Sequence, residues 1–193
     1  ARWMVPPPGA AGPAGRGLLG AQQFAGSGTA PGGILLEPAS HGARAAAAAA
    51  VARLQAENPK TLALIAPADQ AVRPEDRASF RRALIAAADH AAEGRCVAFA
   101  APSRPWLQRR RPFGPHLIDA GWLLAPAGRL AGWIEDAAPD LWNTAARAVA
   151  NAAVDLDFLR LDADAFAGAA PAPFDALLAA AAGDTVIHAL DFT

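Results

Sequence analysis

Short apolar runs alternate with alanine-rich segments along most of the chain. The runs have the length of strands, are rich in Leu, Ile, Val and Phe, and are bounded by Pro, Gly or polar residues. They span residues 33–38, 61–65, 96–99, 117–125 and 185–192. The pattern predicts a strand at each run, and the first run ends at Pro38, which cannot donate to a sheet ladder.

The segments between these runs have helical patterns. Residues 43–57 are mostly strong helix formers and stop before Pro59. A second helix is predicted to open at Pro74 and to end near Gly94. Further helices are predicted over 127–137, 139–153 and 174–182. Strands and helices in this alternation favour a parallel sheet with right-handed crossovers, so the sequence predicts an α/β fold of three layers, α/β/α, with a mainly parallel sheet.

Three segments follow neither pattern. Residues 1–32 are rich in Pro and Gly and are predicted to be extended and poorly ordered, in front of one domain over 33–193. Residues 102–115 are predicted to be a loop, and residues 155–161 irregular structure or a short helix. The loop contains Arg109-Arg110-Arg111, which is either an anion contact or a solvated surface.

Composition narrows the class of protein. The formal net charge of the 193 residues is −1, which argues against nucleic acid as a partner. Cys96 is the single cysteine, so a disulfide framework is excluded and a reducing compartment fits. No apolar stretch has the length of a membrane span, and no convincing signal peptide is present. A cytoplasmic protein without a membrane partner is therefore expected.

Asp69 is the first candidate for chemistry, because it lies just past the carboxyl end of the predicted strand over 61–65. Ligands of open α/β sheets bind at these strand ends. An Asp in this position is also a common turn former or helix N-cap, so the position leaves both interpretations open. The four histidines are dispersed without metal-ligand spacing, and no serine lies in a nucleophile elbow.

The serial order of several motifs resembles a known family. The motifs are Ile34-Leu35-Leu36-Glu37-Pro38, Leu64-Ile65-Ala66-Pro67-Ala68-Asp69-Gln70, Ile118-Asp119-Ala120-Gly121-Trp122 and Phe174-Asp175-Ala176-Leu177-Leu178. In this order they are similar to the mannose-1-phosphate guanylyltransferases, also called GDP-mannose pyrophosphorylases. There a strand ends in Glu-Pro, the next ends in Leu-Pro-Ser-Asp-His, and a later strand contains Asn-Ser-Gly.

The resemblance implies a fold, a reaction and a set of site residues. The fold would be a partial nucleotidyltransferase fold of the glycosyltransferase-A kind, and the reaction attack of mannose 1-phosphate on the α-phosphorus of GTP, giving GDP-mannose and pyrophosphate. By resemblance Asp69 holds Mg²⁺, Glu37 faces the nucleotide, and Asp119 and Asp175 lie near the sugar. GTP, mannose 1-phosphate and GDP-mannose are then the expected ligands.

The chain also departs from the family pattern. The Gly-rich loop that grips the triphosphate and the second metal carboxylate are missing, and Gly42-Ala43-Arg44-Ala45 stands where the family has Asn-Thr-Ala-Pro. The expected activity of the isolated chain is therefore weak or absent. The alternative hypothesis is a non-catalytic paralogue that binds a nucleotide sugar or serves as a partner subunit, in a homo-oligomer or with a full-length enzyme. A third hypothesis is an unrelated small α/β domain.

Overall fold

A computed structural model describes residues 3–4, 33–39, 41–66, 72–102, 112, 116–156, 158–170 and 185–191. The strands in these ranges are β1 (Trp3–Met4), β2 (Gly33–Leu36), β3 (Leu62–Ile65), β4 (Cys96–Pro102), β5 (Leu117–Pro126), β6 (Ala153–Asp155), β7 (Phe158–Arg160) and β8 (Thr185–Ala189). The α-helices are α1 (Ala43–Glu57), α2 (Arg77–Ala92), α3 (Ala127–Ala137), α4 (Pro139–Ala150) and α5 (Ala163–Phe166). A 3₁₀ turn, Pro74–Asp76, precedes α2.

The described residues fall into two compact units. Unit 1 holds the described parts of residues 1–57 and 131–177, and unit 2 those of residues 58–130 and 178–193. Both units are therefore discontinuous in sequence.

Unit 1 is built on a sheet with the strand order β1-β2-β7-β6. β2 is parallel to β1 and to β7, whereas β6 is antiparallel to β7. Ile34 and Leu35 of β2 are completely buried. Helix α1 packs against α4, and both helices carry small buried residues, Ala45 and Ala48 on α1 and Ala145 and Ala148 on α4.

Unit 2 is built on a second sheet with the order β3-β5-β4-β8. β5 is antiparallel to both β3 and β4, and β4 is parallel to β8. Helix α2 lies on this sheet, where Phe80 meets Trp122 of β5 edge to face with ring centroids 4.4 Å apart. This aromatic pair and the buried Val97 and Phe99 of β4 form much of the core of the unit.

The α/β class is confirmed, and several elements lie where the sequence predicts them. The predicted helices over 43–57 and 127–137 agree with α1 and α3 in full. The sheets differ from the expected parallel arrangement, because the described strands pair in parallel and antiparallel fashion equally often. The antiparallel pairs are β5 with its two neighbours β3 and β4, and β6 with β7.

The prediction for residues 155–161 is wrong, since Asp155 ends β6 and Phe158–Arg160 form β7. Three-residue strands give almost no periodic signal, and β7 gains its stability from pairing with the distant β2. Most of the predicted loop over 102–115 and the whole predicted helix over 174–182 lie outside the described residues. In the described ranges no helix is long and apolar enough to cross a lipid bilayer.

Candidate functional site

The carboxyl ends of β2 and β7 lie side by side in unit 1. Leu36 at the end of β2 is in register with Arg160 at the end of β7, and the Leu161 N–H donates to the Leu36 carbonyl at 3.1 Å. Because the two strands are parallel, the residues that follow them emerge at the same edge of the sheet. This edge is where open α/β sheets bind ligands.

The turn between β2 and α1 places a carboxylate and an imidazole at this edge. Glu37 and His41 are both half-buried, and Gly42 has φ = 85°, a conformation that favours glycine. The Gly42 carbonyl accepts from the Ala46 N–H at 3.2 Å, so this glycine sets the direction in which α1 starts. We call the described residues 37–39 and 41–42, together with Ala43 and Arg44 at the start of α1, the β2–α1 turn.

Arg44 adds a cation to the first turn of α1. Its Nε is buried, and no hydrogen-bond partner for that atom is found within the described part of the chain. No acidic residue lies in the first turn of this 15-residue helix. A guanidinium next to free backbone N–H groups at a helix start is suited to phosphate oxygens.

Phe166 packs against His41 of the β2–α1 turn. Its ring is completely buried and meets the His41 ring edge to face, with centroids 5.3 Å apart. Phe166 is held in place by α5, whose N-cap Asp162 accepts from the Ala165 N–H at 2.8 Å. Backbone bonds from Asp162 to Ala148 and from Phe166 to Asp162 complete the support. The turn therefore rests on packed structure, which limits its freedom before a ligand arrives.

The structure describes two of the four predicted site residues. Glu37 belongs to unit 1 and Asp119 to unit 2. Asp69 and Asp175 lie outside the described residues, so their predicted roles stay predictions. Val72 and Arg73, which directly follow the segment with Asp69, are anchored in unit 2: Val72 packs against its core, and Arg73 Nε and Nη2 donate to the buried Asp76 carboxylate at 2.8 Å. The hydrogen bond to Asp76 raises the pKa of Arg73.

Asp119 has a visible structural contact. Phe99 alone on β4 lies opposite Ala120, Gly121 and Trp122 of β5, so β5 bulges at this point. Gly121 has φ = 77°, and its N–H donates to Asp119 Oδ1 at 2.6 Å. The Asp119 residue is 4% exposed. Its carboxylate stabilises the bulge, whereas the predicted contact with a sugar stays a prediction.

Comparison with known proteins gives two curated relatives, both named for xanthan biosynthesis. No protein-family model matches the chain. The chain is 28% identical over 205 residues to the xanthan biosynthesis protein XanB of Xanthomonas campestris pv. campestris strain B100, and XanB of a second strain matches equally. The likeness spans 90% of the chain but 43% of XanB, so the chain covers less than half the length of these relatives.

Two solved structures share the fold. The mannose-6-phosphate isomerase from Helicobacter pylori superposes with a TM-score of 0.75 at 17% identity, covering 90% of this chain and 79% of that one. The mannose-1-phosphate geranyltransferase from Thermus thermophilus superposes with a TM-score of 0.67 at 20% identity, covering 90% and 56%. At these identities the two likenesses show a shared α/β fold.

The described residues do not form a magnesium site on their own. Of the predicted carboxylates only Glu37 and Asp119 are described, and Oδ1 of Asp119 already accepts from Gly121. Within the described ranges no three His, Cys, Asp or Glu side chains converge as metal ligands. The predicted Mg²⁺ therefore depends on residues beyond these ranges, and the chemistry of the β2–α1 turn is that of Glu37, His41 and Arg44.

Sequence reasoning missed Arg44 and His41 as site residues. It treated residues 42–45 as the loss of the family's Asn-Thr-Ala-Pro side chains, and His41 as one of four dispersed histidines. The signal for Arg44 was its place in the first turn of a helix that follows a strand directly. The contact of His41 with Phe166 joins residues far apart in sequence, and no local pattern indicates it.

A cleft in unit 2 is the weaker candidate site. It has a volume of about 550 Å³, and its charged lining residues are Lys60, Glu93 and Arg129. Cations and a carboxylate are mixed here, and each of these three residues is on the protein surface. The mixed charges of the cleft therefore favour neither an anionic nor a cationic ligand, whereas the helix start at Arg44 favours an anion.

Replacing Asp119 tests the structural role of its carboxylate. We expect Asp119→Ala to lower the free energy of unfolding by about 1–3 kcal/mol, because the buried Gly121 N–H loses its acceptor. Asp119→Asn keeps an oxygen at the same position and should cost less. Urea denaturation of both variants makes the comparison, with exposed Asp136→Ala as a control expected to change stability by less than about 0.5 kcal/mol. Equal losses for Ala and Asn would show that charge, and not the bond to Gly121, stabilises the bulge.

Proposed function

We propose that the chain is a mannose-1-phosphate guanylyltransferase-like protein that binds a nucleotide sugar, GDP-mannose, at the β2–α1 turn. The observation that carries the proposal is the buried Arg44 Nε, which has no hydrogen-bond partner among the described residues and follows half-buried Glu37 at the carboxyl edge of parallel strands. The sequence likeness to XanB and the fold shared with two mannose-phosphate proteins support the choice of ligand.

Each group of the turn has a suitable partner on such a ligand. The Arg44 guanidinium is a donor for the oxygens of the diphosphate, and the N–H groups at the start of α1 add favourable partial charge. The Glu37 carboxylate is an acceptor for sugar hydroxyls. Gly42 leaves the backbone bare of a side chain where the phosphates approach.

The groups of the β2–α1 turn are too few for catalysis by the isolated chain. In the proposed reaction an oxygen of mannose 1-phosphate forms a bond to the α-phosphorus of GTP, and the bond from that phosphorus to the leaving pyrophosphate breaks. The developing charge has to be neutralised by several cations and a metal ion. The β2–α1 turn offers Arg44 alone, so we assign it to binding and expect little turnover.

A titration tests binding at the turn. We expect GDP-mannose to raise the melting temperature of the chain. We expect Arg44→Gln to raise the Kd for GDP-mannose at least about tenfold, because a charge-assisted hydrogen bond to phosphate is worth about 1.5–3 kcal/mol. The matched control is Arg53→Gln on the same helix, where Arg53 pairs with Glu57 at 2.7 Å. The control should bind like the original chain.

Two results count against the proposal. If GDP-mannose, GTP and mannose 1-phosphate all leave the melting temperature unchanged, the chain has no nucleotide-sugar site. That result would favour the hypothesis that the chain is a partner subunit. If Arg44→Gln and Arg53→Gln bind equally well, the ligand lies elsewhere. Incubation with GTP, mannose 1-phosphate and Mg²⁺ should release no pyrophosphate above background. Release that Asp69→Ala abolishes would overturn the assignment to binding alone.

A further inference from the structure

Helix α2 has one face on the sheet of unit 2 and one face in solvent. Its buried side consists of Ala83, Ala87 and Ala91. The opposite side forms what we call the outer face of α2, whose members are all exposed. They are Arg77, Ala78, Arg81, Arg82, Ile85, Ala86, Asp89, Ala92 and, at the C-cap, Glu93. Ile85 lies at the middle of the helix and is 60% exposed.

Four charged side chains of this face lie at the unfavourable ends of the helix dipole. Arg77 and Arg81 occupy the amino-terminal half, which is the positive end of the helix dipole, and Asp89 and Glu93 the negative end. Both pairs also put like charges at i and i+4, where they repel each other. None of the four side chains forms a salt bridge with a described residue. On an isolated helix this charge pattern is unfavourable.

Four of the five charged residues of this face are symmetric in sign about Ile85, whereas Arg82 has no charged counterpart. Arg81 precedes Ile85 by as many residues as Asp89 follows it, and the same relation holds between Arg77 and Glu93. Ala78 and Ala92 are related in this way too. An antiparallel pair of identical helices on a two-fold axis brings together residues that lie equally far before and after the axis.

We propose that the outer face of α2 is a homodimer interface, in which a second copy of the chain packs antiparallel with the two-fold axis at Ile85. Each copy then sets its arginines opposite the carboxylates of the other, and the repulsive pattern of one helix becomes four intermolecular ion pairs. The proposal goes beyond the proposed function, and neither depends on the other.

Packing at the centre agrees with this arrangement. Arg77, Arg81, Ile85, Asp89 and Glu93 follow one ridge of residues four apart, so the two ridges meet at Ile85. Ile85 would be buried against its own copy, and the alanines around it leave room for a close approach. A basic or acidic partner of another kind would match only one half of the face.

The dimer should be weak and sensitive to salt. The face of a single helix lies at the small end of interface sizes, and its ion pairs are exposed to screening. Sedimentation velocity on the 193-residue chain, from about 1 µM to about 100 µM, should show a monomer–dimer equilibrium that shifts toward monomer as salt rises. A chain that stays monomeric at low salt over this range would overturn the proposal.

Charge reversal identifies the face and separates it from misfolding. An acidic variant, Arg77→Glu with Arg81→Glu, and a basic variant, Asp89→Arg with Glu93→Arg, should each dimerise at least about tenfold more weakly. An equimolar mixture should form a heterodimer, because every pair is then complementary again. The control Glu135→Arg reverses an exposed charge on α3 and should dimerise normally. Two results would contradict the assignment. One is a heterodimer no tighter than the homodimers of the two variants, and the other is a homodimer that neither variant weakens.

Discussion

Phe166→Ala is expected to lower the free energy of unfolding by about 3–5 kcal/mol and to abolish the stabilisation by GDP-mannose. The Phe166 ring is completely buried in unit 1, so its removal leaves a cavity that the neighbouring backbone fills only in part. The His41 ring loses its edge-to-face contact at the same time. The β2–α1 turn then loses its support, and ordering it again on binding lowers the affinity.

Urea denaturation followed by circular dichroism measures the first effect, and a melting-temperature titration measures the second. The control is Leu156→Ala, since Leu156 is 89% exposed in the same unit. Its removal should change stability by less than about 0.5 kcal/mol and leave the response to ligand intact. A Phe166→Ala chain that is destabilised but still binds normally would show that His41 and the turn do not need this support.

Phe99→Ala is expected to have an effect of the same size on unit 2, about 3–5 kcal/mol. Phe99 lies on β4 with no exposed surface, at the point where the bulge of β5 places three residues opposite it. It also meets the ring of His188 on β8 at 6.1 Å. Its loss opens a cavity between the central strand and the helix that covers the sheet.

The matched control lies on the neighbouring strand. Ile187 of β8 is 46% exposed, and Ile187→Ala should cost much less than Phe99→Ala in the same urea experiment. Because Phe99 belongs to unit 2, binding of GDP-mannose to the remaining folded chain should be retained. Loss of binding with only small loss of stability would move the ligand site away from the β2–α1 turn.

The helices were predictable because their signals are local. Residues 43–57 combine helix formers with a stop at Asn58-Pro59, and the observed α1 has these bounds. Hydrophobic spacing and Pro139 similarly place α3 and the start of α4. The strands β2 to β5 and β8 were also predicted, within a few residues at their ends.

The pairing of the strands and the environment of the site side chains were not predictable in this way. Whether β5 runs parallel or antiparallel to β4 depends on contacts across the sheet, which single-chain periodicity does not encode. Asp119 has the same sequence context as a ligand-binding acid, yet its carboxylate bonds to Gly121 because of a bulge that only the register creates. Arg44 and Phe166 come to the turn from separate elements. The roles of Asp69 and Asp175 stay predictions.

The place of β8 in the sheet has a consequence for synthesis on the ribosome. Strand β4 (Cys96–Pro102) is synthesised well before its parallel partner β8 (Thr185–Ala189), which comes at the end of the described chain. The described elements of unit 1 are all synthesised by residue 170, so that unit is complete while one edge of β4 is still bare. An unpaired strand edge attracts other strands. The second unit therefore keeps a bare strand edge after the described elements of the first are synthesised, and slowing elongation over the last residues would lengthen that exposure.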